Sequence, residues 1–457
     1  MSETVEVIVD KRTFNAEKGT LLIDLLIKEK IKVPYFCYHE ALGADGNCRM
    51  CMVEIEGQKR PQIACDTFIK EGMEVRSTGE NIEKVRTDIL ELELINHPVD
   101  CPTCDQAGEC SLQDFYMDYG LHNSKISIPE KVKNLKKVDL GSNVMLDQER
   151  CVLCARCTRF TDKITDTHEL GIIGRGDHAR VSTMPGRKLD NPYAMNVVDL
   201  CPVGALTSKD FRFHQRVWFL STVDSICHGC AKGCNIYIDH NKMKYQDDII
   251  YRFRPRRNDD VNGFFICDEG RLSYKALQED RQEEIVLNSK VIMEDEAIQA
   301  FHTLLEKYET NITVVIDANL YTEEIEAILD FSKEIGASVC SPLEIYRDED
   351  FKDDMLKSAQ RAANYKTIEN LHIDTDIPAK SGLLINFNHP GEFEAEVKID
   401  FRTHQDTKAA FILPIASYVE SSGHITNEDG ITQLCQKALS KNNPVPTVLE
   451  WLEKVRS

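Results

Sequence analysis

The spacing of apolar positions changes several times along the chain, and each change marks an expected element. In VEVIVDKRTF, residues 5–14, Val5, Val7 and Val9 alternate with other residues. The alternation resumes after a turn at Asp10 to Arg12, which predicts two paired strands. GTLLIDLLIKEKI, residues 19–31, places its apolar side chains on one face of a helix, MVEIE at 52–56 returns to strand, and a helix is expected at about 80 to 96. Far downstream, ITVVIDANLYTEEIEAILDFSKEIGASV at 312–339 reads as strand, helix, strand, and GLLINFN at 382–388 as another strand. No stretch approaches the roughly 18 apolar residues of a membrane-spanning helix. The longest runs, such as AAFILPIA at 409–416, have the length of a core strand. No repeat of fixed period or low-complexity tract is present.

With 457 residues the chain has room for about three domains at roughly 150 residues each, or more if some are small and metal-held. Hydrophobic residues make up 42% and charged residues 29%, which excludes a disordered or fibrous chain. Lys and Arg number 55 against 76 Asp and Glu, a net charge of −21. That balance argues against binding nucleic acid, which needs a basic face, and against adhesion to anionic lipid. The opening MSETVEVIVDKR lacks a basic stretch followed by an apolar one, so the chain is expected to be intracellular. In a reducing compartment its 17 cysteines are expected to ligate metal rather than form disulfides.

Those cysteines are unevenly placed: 15 lie between Cys37 and Cys267, and only Cys340 and Cys435 follow. The first group is Cys37, Cys48, Cys51 and Cys65, set in the order strand, strand, helix, cysteine loop, strand, which suits a β-grasp ferredoxin holding a 2Fe-2S cluster. The gap of 10 residues before Cys48 demands a wider loop than in plant ferredoxins. Four cysteines also suit structural zinc, although zinc sites usually take two close pairs and only one C-x2-C pair occurs here. The second group is His97, Cys101, Cys104 and Cys110 in NHPVDCPTCDQAGEC. Read alone, His97 is a histidine at a helix terminus. The three cysteines lack a fourth ligand without it, and a neutral imidazole in place of a thiolate leaves the site less negative and easier to reduce.

The third group is Cys151, Cys154 and Cys157 in CVLCARC with the remote Cys201 in LCPVG, the spacing with which bacterial-type ferredoxins hold 4Fe-4S. A second cluster would need cysteines at 161, 191, 194 and 197, where Thr161, Asn191, Ala194 and Val197 stand, so one cluster is expected. The fourth group, Cys227, Cys230, Cys234 and Cys267, suits another 4Fe-4S cluster, with all-thiolate zinc as the rival. RFRPRR at 252–257, within this last span, is either a solvated loop or a segment packed near a reduced cluster. No G-x-G-x-x-G or Walker A loop is present, so dinucleotide binding is not expected.

Taken together, the β-grasp cysteines, HPVDCPTCDQAGECSLQD, CVLCARCTRF with a later CPVGALT, and the final four-cysteine module resemble the large iron-sulfur subunit of bacterial NADH-quinone oxidoreductase, respiratory complex I. The resemblance is dense over residues 1–275. It implies an α+β multidomain chain. Residues 1–78 would be a 2Fe-2S β-grasp domain, 79–120 a helical 4Fe-4S module with one histidine and three cysteine ligands, and 121–218 a ferredoxin-like domain with one 4Fe-4S cluster. Residues 219–275 would be a small 4Fe-4S β domain of the molybdopterin-oxidoreductase type. Residues 276–457, with FILPIASYVESSGHITNEDGITQ at 411–433 similar to the family, would be a truncated α/β scaffold too short to hold molybdopterin, Cys340 and Cys435 being core residues.

The resemblance further implies a relay. Electrons from NADH pass through a flavoprotein subunit to the 2Fe-2S set at Cys37, then to the Cys151 set and the His97 set, and on through other peripheral-arm subunits toward quinone. The Cys227 cluster lies off that route. The chain would have no substrate site of its own, bind no nucleic acid, and reach the cytoplasmic face of the inner membrane only through partner subunits. Soluble NAD-linked hydrogenases and formate dehydrogenases share the front modules. An iron-only hydrogenase would carry the second cubane motif at 191–197 and a further cysteine-rich domain after 275, and a formate dehydrogenase the full molybdenum domain. A zinc-stabilised scaffold with no redox role is the remaining alternative.

Overall fold

A computed structural model describes residues 3–120, 123–378, 380–405 and 409–456. The chain divides into two compact units, Met1–Trp218 and Phe219–Ser457. The boundary expected between residues 120 and 121 falls at Leu121 and His122, outside the described residues.

The first unit opens with β1 (Thr4–Val9), β2 (Arg12–Glu17), α1 (Leu22–Lys28), β3 (Met52–Ile55), β4 (Gln62–Ile63) and β5 (Met73–Arg76). The strands form one sheet in the order β2-β1-β5-β3-β4, with β1 and β5 parallel. The alternation in β1 turns Val5, Val7 and Val9 inward onto Leu22, Ile23, Leu25 and Leu26 of α1. The helix is shorter than residues 19–31. Thr20 and Leu21 are drawn into pairing with residues 67–69, where Ile69 N donates to Thr20 O and Leu22 N to Thr67 O, and Lys30 takes a left-handed φ of 56°.

Next come α2 (Glu80–Leu94) and α3 (Ser111–Tyr119), which pack on each other. They are followed by β6 (Val138–Asp139), β7 (Val144–Leu146), α4 (Arg156–Lys163), β8 (Leu170–Ile173), β9 (Arg180–Thr183), α5 (Asn196–Leu200) and β10 (Leu206–Ser208). β10, β7 and β6 form a small sheet and β8 and β9 a hairpin. α4 and α5, which each adjoin cysteines, lie against each other.

The second unit begins with an antiparallel sheet of β11 (Ser221–Ile226), β12 (Asn235–Lys242) and β13 (Asp248–Pro255), followed by α6 (Asp268–Leu272). The arginine-rich segment is therefore no solvated loop. Arg252 and Arg254 lie in β13 and both grip the buried Asp239 of β12, with Nε to Oδ2 distances of 2.7 and 2.6 Å.

The rest builds one larger sheet from β14 (Val286–Leu287), β15 (Lys290–Val291), β16 (Ile312–Ile316), β17 (Ser338–Cys340), β18 (Ser381–Phe387), β19 (Ala395–Arg402) and β20 (Phe411–Pro414). Its order is β15-β14-β20-β19-β18-β16-β17, parallel from β20 to β17. The strands β16 and β18 are buried throughout, as a parallel sheet covered on both faces requires. α7 (Glu294–Tyr308), α8 (Thr322–Glu334) and α9 (Tyr365–Asn370) accompany it, β21 (Gly423–Thr426) and β22 (Thr432–Cys435) form a hairpin, and α10 (Val448–Arg456) closes the chain. No helix among the described residues is long and apolar enough to cross a membrane.

Candidate metal centres

All 17 cysteines are free thiols. Cys37 lies in the long loop between α1 and β3, Cys51 directly precedes β3, and Cys65 sits in the turn after β4. Hydrogen bonds from the Cys48 and Cys65 thiols, helped by the amides of Cys48 and Gly46, hold Cys37 far below an ordinary thiol. Cys65 also donates to Cys51 and is itself pushed up by its two sulfur partners. Phe36 N approaches the Cys48 sulfur at 3.5 Å. The four sulfurs are thus gathered into one buried site in which Cys37 and Cys51 are lowered and Cys48 and Cys65 raised by their shared hydrogen bonds.

The second set follows α2. Burial pushes His97 down to about 4, so the ring is neutral, and its Nδ1 accepts from Val99 N at 3.1 Å, which leaves Nε2 for a ligand. Lys131 Nζ caps the adjoining carbonyls of Leu94 at 3.0 Å and His97 at 2.6 Å. Cys104 lies within electrostatic reach of both Cys101 and Cys110, and His97 lies against Asp100, the residue before Cys101. Burial raises Cys110 to about 11.

In the third set, Leu153 and Ala155 take left-handed φ values of 50° and 58°, so the CVLCARC backbone coils around its own sulfurs, and Leu153 N reaches Cys151 Sγ at 3.4 Å. Cys157 interacts with Cys154, Cys151 and Cys201, and burial raises all four thiols. Buried thiols of this kind ionise when a metal supplies the compensating charge. Thr161, Asn191, Ala194 and Val197, at the places of a second ligand set, are all buried packing residues, and Asn191 is hydrogen-bonded to Glu169.

In the second unit, Cys227 and Cys230 follow β11, Cys234 precedes β12 and Cys267 caps α6. Together with Gly229, Gly270, Leu272, Phe351 and Arg361 they line a cavity of about 350 Å³. Gly229 N donates to Cys227 Sγ at 3.4 Å and Gly270 N to Cys267 Sγ at 3.3 Å. A Cβ on Gly270 would stand 3.0 Å from Cys227 Sγ, so glycine lets α6 approach the sulfurs. The sulfurs surround a space. Arg361, with no signal in the sequence, anchors the wall by donating to Gly229 O at 2.8 Å and pairing with Glu269 at 2.7 Å.

The contacts between sets in the first unit are equally specific. Arg159 of α4 donates to the carbonyls of Cys37 and, at 2.8 Å, Gly43, and Asn47 Nδ2 donates to Leu153 O at 2.9 Å. These join the Cys37 loop to the Cys151 loop. On the other side Arg150 clasps Asp100, and Ser111 N donates to Pro202 O at 2.9 Å, joining residues adjacent to Cys110 and Cys201. A Cβ on Gly204 would meet Cys104 Sγ at 2.3 Å. The Cys151 set therefore adjoins both others. Sequence reasoning missed Arg150, Arg156 and Arg159, although three arginines within and around CVLCARCTRF were a visible signal.

Four families match the chain in succession. The 2Fe-2S iron-sulfur cluster binding domain matches residues 2–80, and the NADH-ubiquinone oxidoreductase-G iron-sulfur binding region residues 86–125. The ferredoxin-like domain of NADH-quinone oxidoreductase subunit 3 matches residues 141–207, and the molybdopterin oxidoreductase Fe4S4 domain residues 220–279. The NADH-ubiquinone oxidoreductase 75 kDa subunit of Reclinomonas americana is 34% identical over 379 residues, which is 79% of this chain and 53% of the relative. The mitochondrial NADH-ubiquinone oxidoreductase 78 kDa subunit of Neurospora crassa is 37% identical over 277 residues, 61% of this chain and 37% of the relative. The chain thus spans about half the length, or less, of these curated relatives. A solved NAD+-reducing [NiFe]-hydrogenase chain is 28% identical with a TM-score of 0.42, covering 47% of this chain and 91% of that one.

Proposed function

We infer, for a chain that belongs to the family of large iron-sulfur subunits of NADH-quinone oxidoreductase, that residues 1–275 serve as an iron-sulfur relay for single electrons between an NADH-oxidising flavoprotein subunit and the peripheral-arm subunits that lead to quinone. Cys37, Cys48, Cys51 and Cys65 would hold one 2Fe-2S cluster. His97 with Cys101, Cys104 and Cys110, Cys151 with Cys154, Cys157 and Cys201, and Cys227 with Cys230, Cys234 and Cys267 would each hold a 4Fe-4S cluster. Bound clusters supply one-electron chemistry at these sites, with potentials tuned by charge, hydrogen bonds and exposure.

The observation that carries this reading is that the Cys151 set is tied to the Cys37 set through Arg159 and Asn47, and to the His97 set through Arg150 and Ser111. A relay needs short, fixed gaps between successive centres, and these contacts would hold them. The proposed order is Cys37 set, Cys151 set, His97 set, with the Cys227 set off that route. The amides of Phe36, Leu153, Gly229 and Gly270 face sulfurs and offset their negative charge.

Residues 276–457 act as scaffold without molybdopterin. Cys340 and Cys435 are single buried cysteines in strands, which suits core residues. In the assembled enzyme the chain would lie on the cytoplasmic face of the membrane, held there by its partners, would need no substrate site of its own, and would not bind nucleic acid.

Metal analysis of the anaerobically purified full chain tests the reading. About 14 iron atoms per chain are expected. A chain carrying mainly zinc would replace the relay with a structural scaffold.

A further inference from the structure

Arg156, the first residue of α4, is buried and has no carboxylate partner among the described residues. Its Nη1 donates to Leu200 O at 3.1 Å, beside Cys201, and its guanidinium carbon stands 5.8 Å from the ring centre of Tyr35, two residues before Cys37. Its Nε is buried without a hydrogen-bond partner. The groups within electrostatic reach of it are the thiols of Cys154, Cys201 and Cys37 and the Tyr35 phenol, drawn from both sites. The neighbouring Arg159 is different, since it spends its donors on the carbonyls of Ala155, Leu42, Gly43 and Cys37.

An arginine does not shed its proton inside a protein, and a buried unpaired charge is strongly unfavourable unless an anion stands nearby. A site ligated by four thiolates is net negative, and each electron it receives adds one unit. We propose that Arg156 is the shared counter-ion of the Cys37 and Cys151 sites, a fixed cation between them that raises the reduction potential of both. It is a positioning residue and ligates nothing. The inference rests on the assignment of iron-sulfur clusters to these two sites. It adds that one charge shifts both potentials in the same direction.

The test is a redox titration of the anaerobic full chain, followed by electron paramagnetic resonance, for the native protein, Arg156→Gln and Arg156→Lys. Absence of iron-sulfur signals in the native chain would refute the relay itself, separately from this inference. With native signals present, Arg156→Gln is expected to lower both midpoint potentials by at least a tenfold change in the oxidised-to-reduced ratio, about 59 mV for one electron. Arg156→Lys, which keeps the charge, is expected to restore them. Loss of both clusters in Arg156→Gln but not in Arg156→Lys also supports a requirement for charge. Unchanged potentials in Arg156→Gln overturn the proposal, as does loss of both clusters in the two variants alike, which marks a purely structural contact.

Discussion

Arg150 and Asp100 meet in a two-point ion pair, with Nε 3.1 Å from Oδ1 and Nη2 2.9 Å from Oδ2. Each residue immediately precedes a candidate ligand, Cys151 and Cys101, so the pair locks the third site to the second. Burial alone would raise the Asp100 carboxyl, but Arg150 and Lys136 outweigh it and hold the carboxyl well below the usual range. Asp100→Ala reduces the buried Arg150 guanidinium to its longer ion pair with Asp147, at 3.4 Å. The expected loss is about 2 kcal/mol, below the fully buried case because Asp100 is 30% exposed. The urea midpoint of the anaerobic chain should fall, and the signal of the His97 site should weaken while that of the Cys227 site persists. An unchanged His97-site signal would show that the pair does not position that site.

Gly204→Ala puts a methyl group 2.3 Å from Cys104 Sγ, with Gln106 Cβ only 3.1 Å away on the other side. Something must move, and the sulfur is the group that a cluster needs in place. Iron content should drop by about four atoms per chain with the other sites intact. Full iron in this variant would mean that the loop yields without cost to the ligand set.

Cys201→Ala is expected to abolish one 4Fe-4S resonance and to stop NADH-to-quinone transfer in the assembled enzyme. Normal turnover would remove the Cys151 set from the route. Cys227→Ala should delete a different resonance and leave most of the flow, provided the variant assembles. A complete block in a correctly assembled enzyme would place the Cys227 set on the route.

Glu324 on α8 is a fully enclosed carboxyl whose pKa burial raises to about 7, although it accepts a hydrogen bond from Tyr321 N at 3.0 Å. Because the folded value lies above the unfolded one, the folded state is favoured while the group is protonated. That advantage is lost as pH rises from about 4.5 to 7, a penalty of up to about 3 kcal/mol above pH 7. Glu324→Gln keeps an acceptor and removes the charge, so the α/β domain should become more stable at pH 8 and lose this part of its pH dependence. The urea midpoint read from the buried Trp451, in a Trp218→Phe background, checks it. A variant that tracks the native pH profile would show that Glu324 is not the group responsible.

The elements and ligand groups were legible to different depths. Alternation in β1 and β2, the strand-helix-strand run at β16, α8 and β17, and the strand β18 were all visible, because their apolar periods report directly which face is covered. RFRPRR left two readings open, because a cluster of like charges reads as solvated unless the facing acid is known, and Asp239 lies on the adjacent strand 13 and 15 residues away. The ends of α1 were also beyond a helical pattern, since pairing with residues 67–69 claimed Thr20 and Leu21.

Short spacing along the chain suggested which cysteines form each candidate set. Close spacings such as C-x2-C-x2-C are short enough for the backbone to bring the sulfurs together, and the remote members Cys65, Cys201 and Cys267 were the remaining thiols in reach of an incomplete set. How the sets adjoin is visible only in the folded chain. Arg159 reaches the carbonyl of Cys37 across 122 residues, and Arg150 reaches Asp100 across 50. No local period encodes such pairs, because they arise where separately folded surfaces happen to bring a donor and an acceptor into register. The buried position of Arg156 is of the same kind: Cys154 is its neighbour in sequence, but Tyr35 and Leu200 reach it from distant segments.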